Sequence, residues 1–89
     1  MEYTYYRWLS DASHDTIGII RLENGMTPNK AQFVTRDGEW AHTDLLVRLA
    51  LGREEGHHAR QIDHHEARDL LQQWVSRGKV SSWPLDWEQ

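Results

Sequence analysis

The sequence contains no cysteine. Disulfide staples, thiolate zinc sites and cysteine nucleophiles are excluded with it. Long apolar runs are missing too. Hydrophobic residues make up 38% of the chain and never approach the roughly 18 in succession that a membrane-spanning helix needs. Basic residues are in deficit, 10 Lys and Arg against 14 Asp and Glu, for a formal net charge of −4. That balance argues against a chain-wide basic footprint for nucleic acid or an anionic membrane. Met1-Glu2-Tyr3 opens acidic and aromatic, without the basic region of a signal peptide, so a soluble cytoplasmic protein is expected. No Gly-x-Ser-x-Gly, P-loop, dinucleotide fingerprint or His-Glu-x-x-His occurs, and the expectation is a non-catalytic protein without a cofactor.

What is present is aromatic. The 89 residues include five Trp, three Tyr and one Phe. A chain this short suggests one domain, 1–89, near the size at which a single core gives only a few kcal/mol. Large rings bury roughly 150–250 Å² each, so aromatic packing, helped by self-association, is the expected source of stability.

Two patterns divide the chain. Residues 1–41 read as an antiparallel β-meander. Tyr3 to Leu9 alternates with rings on both faces, which calls for cover on both sides or for one face used in binding. Thr16 to Glu23 is a second strand, with Ile17 and Ile19 on one face and Ile20 and Leu22 on the other. Gly18 within it marks a bulge or a close approach by another side chain. Asn24-Gly25 signals a turn. Lys30 to Arg36 is a third strand, Asp37-Gly38 closes it, and Glu39-Trp40 offers a short fourth.

Residues 43–78 read as two helices. Thr43 is the expected N-cap of the first, Leu45, Leu46, Leu49 and Ala50 its buried stripe, and Gly52 its stop. Arg53 to Arg60 is charged and reads as a surface loop. Asp63 caps the second helix with Glu66 at capping-box spacing, and Ile62 with Ala67 can form the hydrophobic staple. Leu70, Leu71, Trp74 and Val75 follow the helical period, and Gly78 ends it. The fold expected is α+β, a three-stranded meander with a possible fourth strand, followed by two helices packed on one face.

Tyr5-Tyr6-Arg7-Trp8, the Arg36-Asp37-Gly38-Glu39-Trp40 turn, the Leu45-Leu46 helix and the Ile62-to-Ala67 helix start together resemble a set of small uncharacterised proteins of actinobacteria and their phages. The resemblance reaches to about Val75 and implies the order strand–strand–strand–helix–helix. It implies no activity and no catalytic residue.

Three groups of residues are candidate sites. The tail 79–89 is rich in Trp: Trp83, Leu85 and Trp87 either fold back to finish the core or dock into a protein partner or a second copy of the chain. Tyr3, Tyr5, Arg7 and Arg21 place rings among cations on the strands, as single-strand nucleic-acid binders do, although a small sheet also needs its rings for a core. His57, His58, His64 and His65 form two adjacent pairs with carboxylates nearby. Imidazole is a common metal ligand, but His64 and His65 point about 100° apart on a helix, and solvated surface histidines are the competing reading. A small protein-binding or regulatory module is the function expected first, with the tail and an open strand edge as contacts.

Overall fold

The computed structural model describes residues 2–84. Five antiparallel strands form one sheet: β1 (Tyr3–Ser10), β2 (Thr16–Glu23), β3 (Gln32–Val34), β4 (Trp40–His42) and β5 (His57–Ile62), in the order β4-β3-β2-β1-β5. A six-residue helix α1 (Leu45–Ala50) precedes β5, and α2 (His64–Ser76) follows it. No helix among the described residues is long and apolar enough to cross a membrane.

The meander β1–β4 follows the alternation in the sequence. Tyr5 pairs with Arg21 and Tyr6 with Ile20. Neighbouring side chains alternate across a strand, so Tyr5 and Ile19 share one face, and Trp8 and Ile20 share the other. Gly18 lies opposite Trp8, beside a register shift between Trp8 and Leu9. A Cβ built on Gly18 would come within 3.2 Å of Trp8 Cβ. The bulge and the close approach are both there. β3 is shorter than expected because Pro28 starts a 3-10 turn over Pro28–Lys30, which consumes the first residue of the expected strand.

β5 replaces the second half of the expected loop over 53–60. It pairs with β1 from Tyr5↔Ile62 to Ser10↔His57. Its sequence, His-His-Ala-Arg-Gln-Ile, has little apolar alternation because it is an edge strand, held by backbone bonds to one neighbour and protected at its open side by polar residues. The strand count is therefore five, and the segment 43–78 holds a strand between its helices.

The helices lie on opposite faces of the sheet, a correction to the one-face expectation. Ala67, Leu70, Leu71 and Trp74 of α2 pack with Tyr5, Ile19, Val34 and Ile62. Leu45, Leu46 and Leu49 of α1 pack against the cluster of Trp8, Ile20 and Ala31. The cause is in β1, whose rings point both ways and need two covers. Ile19, Ile20 and Leu71 are fully buried, and each stabilises the fold by about 1.5–3 kcal/mol. The first helix has no buried residue, and Leu51 just beyond it is 61% exposed, so α1 is a partial lid.

The caps differ in quality. Asp63 caps α2 by accepting from the Glu66 N–H at 2.7 Å. The other half of a capping box is replaced: the Glu66 carboxylate lies 2.9 Å from Arg7 Nε and 3.2 Å from Arg60, tying α2 to β1 and β5. The Arg7 contact is Coulombic, since its geometry gives Nε no aligned hydrogen bond. For α1 the cap position falls to Asp44, one residue later than expected, while Thr43 Oγ1 accepts from the Leu45 N–H at 3.2 Å.

Candidate functional site

Of the expected tail contacts, Leu85 and Trp87 lie outside the described residues. Trp83 is half-buried against the α2-side core, and Val80 is part of that core. Two contacts dock the segment between them on the turn after β3. The Ser81 N–H donates to Arg36 O at 2.8 Å, and Ser82 Oγ donates to Asp37 O at 3.4 Å. Of the three residues in the fold-back reading, Trp83 packs against the core.

The Tyr/Arg set lies under α2. Tyr5 is 6% exposed and Arg21 4%. The Arg21 guanidinium sits between the Tyr3 and Trp40 rings, 4.3 Å from each centroid, and Nε donates to Gln32 Oε1 at 2.9 Å. Arg7 is held by Glu66 and by Thr16 Oγ1. A platform for stacked bases needs open rings; here α2 roofs Tyr5, and the cation–π stack occupies the Tyr3 ring. The expectation that these four residues meet nucleic acid loses its surface.

The two histidine pairs do not converge. They sit at opposite ends of β5, and five steps from His57 to Ile62 already span about 16 Å. His64 lies edge-on to Tyr5, with ring centroids 5.6 Å apart. His57 stacks on Trp8 at 5.6 Å, and His58 Nδ1 contacts Asp11 Oδ1. His14, which the sequence reading left aside, comes within 6.4 Å of His58 from a left-handed backbone position at φ 60°. Among the described residues no three His, Asp or Glu side chains are grouped to hold a metal ion.

A groove remains that no single segment of the sequence marks. It has a volume of about 410 Å³ and lies between β2, the end of β3 and the C-terminal end of α2. Val34, Trp74 and Val80 make its apolar floor. Ile17, expected in the core beside Ile19, stands in its wall at 52% exposure. Thr16 and Thr35 add hydroxyls; Arg36 and Lys79 add charge. Lys79 Nζ lies 5.7 Å from the Trp74 ring centroid. Neither cation has a carboxylate partner among the described residues.

The groove exists because β2 and β3 part early. Their ladder holds only Ile20↔Phe33 and Arg21↔Gln32. After Val34 the chain turns away, closed by Thr35 N–H to Glu39 O at 2.7 Å. The β3-facing side of Thr16 to Ile19 therefore has no strand partner among the described residues. A second cavity, about 510 Å³ and lined by Phe33, His42, Thr43, Asp44, Leu45 and Arg48, is electrically compensated. Its Arg48 lies 2.9 Å from Glu54 and 3.6 Å from Asp44.

Comparison with protein-family models, with curated proteins and with solved structures finds no match for this chain.

Proposed function

We propose that this chain is a non-catalytic protein-binding module, and that its contact surface is the groove between β2, β3 and α2. The observation that supports this reading is the exposed Ile17 above an apolar floor, beside a stretch of strand edge with no strand partner among the described residues. Exposed apolar surface rimmed by polar groups is how binding sites are built, and an open edge gives backbone groups to a partner segment. Self-association belongs to the same reading, because a second copy is one partner the groove can meet.

A photo-crosslinking residue placed at Ile17 in the source cell tests it, with the same residue at Met26 as the comparison. Met26 is also exposed but lies in the β2–β3 turn, at the far end of β2. The expected result is one discrete adduct from position 17 and none from position 26, with twice the chain mass reporting a second copy. Equal labelling at both positions, or none at either, defeats the reading.

A further inference from the structure

Resting on that reading, we propose that the groove takes an extended segment of another protein in which a large apolar side chain is flanked by carboxylates. Three observations select this occupant. The first is shape: Thr16 to Gly18, the part of this edge that is not fully buried, has no strand partner toward β3 among the described residues, so an incoming chain can bond there only if it is extended. The second is the floor of Val34, Trp74 and Val80, whose apolar side chains accept a ring or a leucine.

The third observation is charge. The chain as a whole carries −4, yet among the described residues the groove lining holds two cations and no carboxylate. That lining is opposite in sign to the molecule. Asp15 and Asp37 stand next to lining residues in sequence and Glu39 is bonded through its backbone to Thr35; these three set the acidic borders, so the carboxylates of a ligand belong between Arg36 and Lys79. Screening reduces interactions beyond roughly 8 Å at physiological salt. The lining pair therefore acts on a ligand more strongly than the carboxylates that lie beyond that distance. The compensated cavity beside Arg48 has no such excess, which is why the same argument does not apply there.

The test is selection from a library of random short peptides displayed on phage, using the full chain as the target, followed by affinity measurement with synthetic copies of the recovered peptides. Recovered sequences should combine Asp or Glu with Trp, Phe or Leu. Their binding should weaken about tenfold in Ile17→Asp and in Arg36→Glu/Lys79→Glu, and should fall with added salt. All three substituted residues are exposed, and an unchanged far-ultraviolet spectrum and melt establish that the variants fold. Peptides that lack carboxylates and still depend on Ile17 overturn the acidic occupant while keeping the groove. Peptides indifferent to Ile17→Asp, or no enrichment at all, overturn the groove reading itself. A deoxythymidine oligonucleotide that competes for the site overturns the proposal in favour of nucleic acid.

Discussion

Gly38→Ala should destabilise this fold far more than Gly25→Ala, although the two glycines look alike locally. Both have positive φ, 81° and 89°. An alanine in either place pays about 1–2 kcal/mol for a left-handed conformation. Gly25 faces open space, with nothing within 4 Å of an added Cβ, so its cost ends there. At Gly38 the added Cβ would lie 2.1 Å from the Ser82 carbonyl oxygen. An ordinary C···O approach is about 3.3 Å or more, so the docked segment must withdraw by roughly 1 Å. That movement strains the Ser81 N–H to Arg36 O bond, which contributes about 1 kcal/mol. It also loosens Val80, whose burial contributes about 1.5–3 kcal/mol. Part of that is lost on a partial withdrawal, so Gly38→Ala should cost about 3–5 kcal/mol in all. Urea denaturation of the two variants beside the parent chain is the assay. With a slope of at least about 1 kcal/mol per molar, the midpoints of the two variants should differ by up to about 3 M. Equal midpoints would refute the argument, because they would mean that Ser82 does not bear on the turn in solution.

Four further expectations can be checked in the same way. Trp74→Ala should cost about 3–5 kcal/mol; an unchanged melting midpoint would remove Trp74 from the core. Asp63→Ala should cost about 1 kcal/mol through the cap on the Glu66 N–H, and Asp63→Asn should recover most of it in a thermal melt. Glu66→Ala should cost no more than about 1 kcal/mol, because its pairs with Arg7 and Arg60 are partly solvated; a loss of several kcal/mol would show that the pairs act as a buried network. Zinc should shift the melt of the parent chain and of a His57/His58/His64/His65 quadruple alanine variant equally, and a shift confined to the parent would show that the histidine pairs do converge.

The parts of this fold that were legible in the sequence are those whose signal is local. Asp63, the spacing to Glu66 and the run Ala67-Leu70-Leu71-Trp74 specify α2 within one stretch of chain, and the structure places all of them as read. The alternation in β1 and β2 is equally local, and so is the turn at Gly38. What was lost is what depends on a distant partner. β5 earns its strand from the β1 backbone rather than from its own side chains, so periodicity reads it as loop. The face taken by each helix depends on which side of β1 its apolar residues meet, a choice between distant partners, and with β5 missed both helices fall on one side. The sites follow the same rule. His57 and His64 are near in sequence and separated by a strand, whereas His14 and His58 are far in sequence and brought together by the β1–β5 pairing. The groove is the extreme case. Ile17 looks like a core residue from its alternation with Ile19, and only the early parting of β2 and β3 leaves it in the open. Arg36, Lys79 and Trp74 come from three other segments, so no motif over any one of them can announce a site. A binding surface assembled from the ends of elements is invisible to a reading that scores elements one at a time, and in this chain the ends of β2, β3 and α2 are where the unspent apolar surface and the unpaired charge have collected.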